Sequence, residues 1–253
     1  MKRLGCVLFM MALLGFLSSA YAEAEKEKGM QIHGNLEFGF YSQYIGSVTG
    51  STIFDKPVFQ QSVELSVEPL GVYGKLWSSY SPKGGWNSDF GDEVDYALGI
   101  RKSVGKWNFD LGYAFYDMYK VGQIKGDLHA LYGWVGFPKI YELTPFVYLE
   151  WDIPTNREIV KGGIVYRAGL CYTPKILKQP VNLELSIAGH DDAYGYRAEF
   201  VSSSRLNLST PIRIWKLDLI PKINFQKRLG YYVREGGMTE DKIWGGLTIS
   251  YSF

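Results

Sequence analysis

The segment from residue 107 to residue 116 reads WNFDLGYAFY, and it alternates bulky apolar side chains with small or polar ones. Trp107, Phe109, Leu111, Tyr113 and Phe115 occupy every second position. Because successive side chains of a β-strand point to opposite faces, this spacing predicts a strand with one apolar face and one mixed face.

The same period of two recurs along most of the chain. In residues 59–67, for example, Phe59, Val63 and Leu65 alternate with Gln60 and Glu64. Such segments number about twelve and are bounded by Gly, Pro and polar residues. They predict strands at 32–44, 59–67, 72–80, 94–101, 107–116, 127–135, 145–152, 164–172, 181–190, 198–208, 215–226 and 243–253.

The composition narrows the fold to two β architectures. Aromatic residues make up 16% of the chain, and there are 29 glycines. No stretch after residue 22 is long and apolar enough to be a spanning helix. An antiparallel sheet with one apolar face suits either a soluble sandwich or a transmembrane barrel.

The connections and the apolar face favour the barrel. Short turns such as Pro69-Leu70-Gly71 alternate with longer loops such as 46–57, as in an up-and-down barrel with periplasmic turns and extracellular loops. The apolar face carries almost no charge, and we expect aromatic girdles near its edges, formed by Tyr44, Tyr80, Trp134, Trp151, Tyr172, Trp215 and Tyr251. The prediction is an all-β transmembrane up-and-down antiparallel barrel with about twelve strands.

The first residues have the pattern of a secretory signal. Lys2 and Arg3 precede an apolar run, and Ala20-Tyr21-Ala22 supplies a cleavage motif. We therefore expect a signal peptide at 1–22 that is cleaved after Ala22, a short periplasmic segment at 23–30 and the barrel at 31–253. The predicted location is the outer membrane of a Gram-negative bacterium, in contact with lipid and lipopolysaccharide.

The last strand has a pattern of its own. Leu247, Ile249, Tyr251 and Phe253 alternate with polar residues up to the final position. This arrangement looks like the assembly signal of bacterial outer-membrane proteins, so we expect Tyr251 and Phe253 to be recognised by the barrel assembly machinery.

The N-terminal half resembles the TorF family of proteobacterial outer-membrane proteins. The similar stretch runs from Asn35 to about Asp117 and includes Tyr41-Ser42-Gln43-Tyr44, Gly46, Gly50, Pro57-Val58-Phe59-Gln60-Gln61-Ser62, Gly74, Trp77, Trp86-Asn87-Ser88-Asp89, Asp92-Glu93-Val94-Asp95-Tyr96, Gly112-Tyr113 and Tyr116-Asp117. The resemblance implies a small outer-membrane barrel with a pore role, and it brings no catalytic residues.

The polar faces of the predicted strands supply candidates for a pore lining. These are Glu37, Tyr41, Glu64, Lys75, Trp77, Asp95, Arg101, Asp110, Glu150, Arg167, Glu184, Arg205, Lys216 and Asp218. Acidic and basic side chains nearly balance, which predicts weak ion selectivity if the lumen conducts. The same charges could instead form a network that closes the lumen.

Inward aromatics allow two interpretations. Tyr41, Tyr73, Trp77, Tyr116, Tyr148 and Trp244 could stack on flat solutes, or they could pack against glycines of neighbouring strands. The acidic stretch Asp89, Asp92, Glu93 and Asp95 could bind calcium, although a solvated loop is the simpler interpretation.

The sequence predicts a porin-like channel for passive diffusion of small hydrophilic solutes, without cofactor or metal and without enzyme activity. The net charge of +1 gives no basic surface for nucleic acid. The alternatives are a non-conducting structural or adhesion barrel and an outer-membrane protease or lipase. The hydrolase is disfavoured because the residues after His33, His129 and His190 do not match the motifs of such enzymes.

Overall fold

The computed structural model describes residues 29–46, 50–82, 92–119, 127–156, 161–191, 193, 198–229 and 241–253. Within them the strands are β1 (Gln31–Tyr41), β2 (Tyr44–Ile45), β3 (Thr52–Phe54), β4 (Val58–Glu68), β5 (Val72–Tyr80), β6 (Asp92–Val104), β7 (Trp107–Tyr119), β8 (Leu128–Gly136), β9 (Thr144–Pro154), β10 (Gly163–Tyr172), β11 (Lys175–Ile176), β12 (Gln179–Pro180), β13 (Asn182–Asp191), β14 (Glu199–Ser209), β15 (Ile212–Ile214), β16 (Leu217–Arg228) and β17 (Lys242–Ser252). The predicted signal peptide lies outside the described residues.

Twelve of these strands form one closed antiparallel barrel. β1, β4 to β10, β13, β14, β16 and β17 each pair with the neighbouring barrel strand in sequence, and β1 also pairs with β17. In that closing pair Leu36 lies opposite Tyr251, and Tyr41 lies opposite Gly246. β2 pairs with β3 and β11 with β12 in two small separate sheets, while β15 extends the turn before β16.

The alternation of the sequence becomes the two faces of this barrel. Phe38, Leu111 and Ile243 point outward and are 61%, 52% and 66% exposed. The outward Lys102 and Lys227 lie near opposite ends of the barrel, where a charge costs little in a membrane. An apolar band with charges at its edges is the surface that lipid covers.

The twelve predicted strands agree with the twelve barrel strands to within a few residues, so the predicted fold class is confirmed. Short turns lie at the end of the barrel where β1 begins, and we call it the turn end; the opposite end is the loop end. Residues 83–91, between β5 and β6, lie outside the described residues. The described residues include no helix long and apolar enough to cross a membrane.

Candidate pore lumen

The inner face of the barrel is identified by side chains that touch across strands that do not pair with each other. The Arg101 guanidinium on β6 bonds to the carboxylate of Glu64 on β4, two strands away. The Tyr73 hydroxyl on β5 lies 2.5 Å from the hydroxyl of Tyr132 on β8, three strands away. Only the concave face of a closed sheet brings such residues within reach.

The strand register places most of the predicted pore-lining residues on this inner face. They are Glu37, Tyr41, Glu64, Lys75, Trp77, Asp95, Arg101, Asp110, Glu150, Arg167, Glu184, Arg205 and Asp218. Lys216 is corrected: it lies exposed in the turn between β15 and β16. The neighbouring Trp215 has a φ of 56°, which does not fit a strand. The strand predicted to begin at residue 215 therefore begins at Leu217.

Arg101 is the centre of a charged cluster near the turn end. Its Nε donates to Oδ2 of Asp110 at 2.8 Å, and the same guanidinium bonds to Glu64. Its Cζ lies 3.9 Å from the centre of the Tyr73 ring, whose hydroxyl donates to Asp110 at 2.7 Å. The planar guanidinium of arginine can bind two carboxylates and stack on an aromatic ring at the same time. Arg101 therefore fixes the positions of Glu64 and Asp110 on this part of the wall.

Two further groups satisfy inward carboxylates. Arg167 Nη1 on β10 lies 3.4 Å from Oε1 of Glu184 on β13. Glu150 on β9 accepts hydrogen bonds from the hydroxyls of Tyr116, at 3.0 Å, and Tyr148. The inward Tyr116 and Tyr148 thus use their hydroxyls to bind a carboxylate of the wall.

Towards the loop end, the inward carboxylates and the inward cations lie on different strands. Carboxylates occupy β6 and β9, and cations occupy β10, β14 and β16: Glu93, Asp95, Glu150 and Asp152 on the first two strands, and Arg167, Arg205 and Lys222 on the other three. β6 and β14 are six strands apart in a ring of twelve. Glu93 and Asp95 on β6 therefore lie across the lumen from Arg205 on β14, whereas Arg167 on β10 lies beside the carboxylates of the paired strand β9.

Inner-face aromatic rings lie against glycines of the neighbouring strand. The pairs are Tyr73 on Gly99, Tyr132 on Gly112, Phe146 on Gly169 and Tyr41 on Gly246. A Cβ added at Gly99 would come within 2.6 Å of the Tyr73 ring, so glycine is needed there for close approach. These contacts favour packing over solute stacking for Tyr41 and Tyr73.

The segment after β1 folds into the mouth of the barrel at the loop end. β2 and β3 form a small hairpin in which Tyr44 pairs with Phe54. We call its described part, residues 44–46 and 50–54, the mouth hairpin. Ile45, Phe54 and Ser51 are buried. The sequence had predicted an extracellular loop for 46–57, whereas residues 46, 50, 51 and 54 are buried and only residues 55–57 of its described part are exposed.

The mouth hairpin contacts two opposite walls. On one side the Arg205 Nη2 donates to the Gly46 carbonyl at 2.7 Å, and the Gln226 Nε2 donates to the Gly50 carbonyl at 2.8 Å. Both donors are buried inner-face residues, on β14 and β16. On the other side the Tyr44 hydroxyl donates to Oε2 of Glu93 on β6 at 2.6 Å.

Two residues expected in the outer aromatic girdles lie inside. Tyr44 packs on the inward Trp77, with ring centroids 5.7 Å apart. Trp134 lies opposite the inward Asp110, and its ring centroid is 6.2 Å from that of Phe146. Trp134 was misplaced because residues 128–135 are apolar on both faces, so the alternation alone does not tell inside from outside. The missed signal is glycine on the inward side: Gly112 on β7 lies against Tyr132, and Gly136 on β8 itself lies against Trp134.

The three histidines lie apart on β1, β8 and β13. His33 Nε2 is 3.7 Å from Glu68, the Tyr113 hydroxyl is 2.6 Å from His129 Nδ1, and His190 is buried on the inner face. Within the described ranges no three His, Cys, Asp or Glu side chains are grouped to hold a metal.

The acidic stretch weighed as a solvated loop or a calcium site is divided by the structure. Asp89 lies outside the described residues. Glu93 and Asp95 belong to β6 and point into the barrel, where Glu93 is buried under the Tyr44 hydroxyl. Glu93 is therefore part of the lumen wall, and the solvated-loop interpretation is corrected for this residue.

The barrel is similar to solved porins. Over 87% of this chain it matches 99% of a structure described as "KdgM porin", with a TM-score of 0.53 and 10% identity. It matches 98% of a NanC porin structure over 87% of the chain, with a TM-score of 0.51 and 10% identity. The chain has a porin-type barrel fold. No protein-family model and no curated protein sequence matches it significantly.

Proposed function

We propose that the protein is an outer-membrane channel for passive diffusion of small hydrophilic solutes. One observation carries the proposal: a closed barrel with an apolar outer band has an inner face of charged and hydroxyl groups. A polar lumen in a twelve-stranded barrel falls between the filled interior of eight strands and the aqueous channel of sixteen. The similar fold of two porins supports the same conclusion.

The placement of charged side chains in the lumen bears on which solutes would pass. The carboxylates of β6 lie across the lumen from Arg205 on β14, and those of β9 lie beside Arg167 on β10, so neither sign dominates the path. We therefore propose weak ion selectivity and passage of neutral or dipolar solutes. Contact with lipopolysaccharide, insertion by the barrel assembly machinery and membership of the TorF family are parts of the same proposal.

A second candidate is a non-conducting structural barrel. The mouth hairpin and the ion-paired cluster around Arg101 favour it, because both place protein groups where solute would pass. Nothing in the arrangement of the three histidines favours hydrolysis, and the predicted absence of enzyme activity stays a prediction.

The test uses the chain from Glu23 onward, refolded and inserted into a planar bilayer. Its single-channel conductance is measured. Sugars, nucleosides and organic ions serve as blockers. Discrete current steps, with reversal potentials near zero in a salt gradient, are expected. Folded, heat-modifiable protein that gives no steps would refute the channel and leave the structural barrel.

A further inference from the structure

The mouth hairpin is attached to the barrel by bonds that the chain makes over very long sequence distances. Arg205 and Gln226 reach the carbonyls of Gly46 and Gly50 from 159 and 176 residues away. Arg205 Nε also donates to Oε1 of Gln226 at 2.7 Å, so the two donors hold each other in position. They form a single anchor, which we call the hairpin anchor.

The opposite side of the hairpin is held by different chemistry. Ile53 packs on the buried Met118 and Leu128, which belong to β7 and β8. The Tyr44 hydroxyl bonds to Glu93. A segment that touches β6, β7 and β8 on one side and β14 and β16 on the other must cross the opening between them.

We infer that the mouth hairpin is the size filter of the proposed channel and that Arg205 and Gln226 are positioning residues that hold it across the mouth. The inference rests on the proposed function. The mouth hairpin, residues 44–46 and 50–54, contains no charged side chain, so the filter restricts width without adding charge of its own. Solutes that pass must then be narrow, while the walls below favour neither sign of charge.

The bonds explain why this anchor uses an arginine and a glutamine. Both carbonyls are covered by protein, where a carbonyl oxygen is stabilised by hydrogen-bond donors. Gly50 has a φ of 75°, a conformation that L side chains rarely adopt, and its N–H donates to the Gly46 carbonyl at 3.0 Å. The turn therefore presents its two carbonyls in a fixed direction to the hairpin anchor.

The experiment compares the unaltered protein with the double variant Arg205→Met and Gln226→Leu. Apolar replacements of similar length remove the hydrogen bonds and keep the bulk. Conductance is measured in planar bilayers, and the size limit is measured by swelling of liposomes in neutral sugars and polyethylene glycols of graded length. With the hairpin released, we expect a conductance rise of about twofold or more and a larger size limit, because both follow the narrowest diameter.

Two further variants keep the result interpretable. Gln61→Leu replaces an exposed, outward glutamine on β4 and should change neither quantity. Tyr44→Phe removes the hydroxyl that bonds to Glu93 and keeps the ring on Trp77. It should give a smaller rise than the double variant, and it provides the test if the double variant does not fold. Folding of each variant is checked by heat-modifiable mobility and circular dichroism.

The outcomes separate the two proposals. Steps of equal size and an equal size limit in the unaltered protein and in folded anchor variants would overturn the size filter and leave the channel. No steps from any folded barrel would overturn both. Steps only after release of the hairpin would support the hairpin as the limiting element and overturn passive diffusion through the resting barrel.

Discussion

Gly99→Ala tests whether the inner-face glycines exist to seat aromatic rings. The new Cβ would lie 2.6 Å from Cζ and Oη of Tyr73 and 2.7 Å from its Cε1. All three atoms belong to one side chain, so the ring must move. Tyr73 would then lose its 2.7 Å bond to Asp110 and its place under Arg101.

The expected loss of stability follows from two contributions. Overpacking a well-packed site costs about 1–3 kcal/mol, and loss of a hydrogen bond to a charged group costs about 1.5–3 kcal/mol. Together they give about 2.5–6 kcal/mol for Gly99→Ala. In a Tyr73→Ala background the same substitution should cost almost nothing, because the ring that it displaces is gone.

The measurement is urea unfolding of the barrel in lipid vesicles, for the two single variants and the double variant. Gly133→Ala is the control, since its Cβ would meet only Leu111 Cδ2 at 3.1 Å and that side chain is exposed. Additive effects of Gly99→Ala and Tyr73→Ala, within about 0.5 kcal/mol, would refute the reasoning.

Three other predictions concern assembly, selectivity and access. Phe253→Ala should lower the yield of heat-modifiable barrel in membranes, because the Phe253 ring covers Gly34 and its backbone makes two bonds to that residue; an unchanged yield would count against an assembly role. Lys222→Glu should move the reversal potential in a salt gradient towards cation selectivity, since it reverses one inner-face charge, and an unmoved potential would place Lys222 outside the conducting path. Cys171 faces the lumen on β10, so a cationic thiosulfonate added from the turn end should react with its thiol and reduce the current. The Cys171→Ser variant should keep its full current. Equal block of both proteins would show that the reagent acts elsewhere.

The barrel strands were predictable because each needs only local alternation. Residues 59–67 and 107–116 present one apolar face to lipid, and lipid imposes that rule on every strand in the same way. The rule is weaker at β8, where both faces are apolar, and there Trp134 was placed on the wrong side. It is also weaker at turns, as Lys216 shows.

The mouth hairpin could not be predicted from local pattern. Its position depends on Arg205 and Gln226, which are far away in sequence and look like ordinary inward residues of their own strands. An uncharged loop rich in Gly, Ser and Thr has the same composition whether it is solvated or inserted. Pairing between distant residues, rather than composition, decides between the two.

The barrel closes through the pairing of β1 with β17, its first and last strands, so closure requires the whole chain. The Ser250 hydroxyl donates to Asn35 across 215 residues of sequence, so the first strand has no partner on one side until the last strand has been made. Until then both margins of the sheet are open to pairing with other chains. The open edge of β1 is therefore covered only when β17 arrives, which makes the pairing of these two strands the last step in forming the barrel.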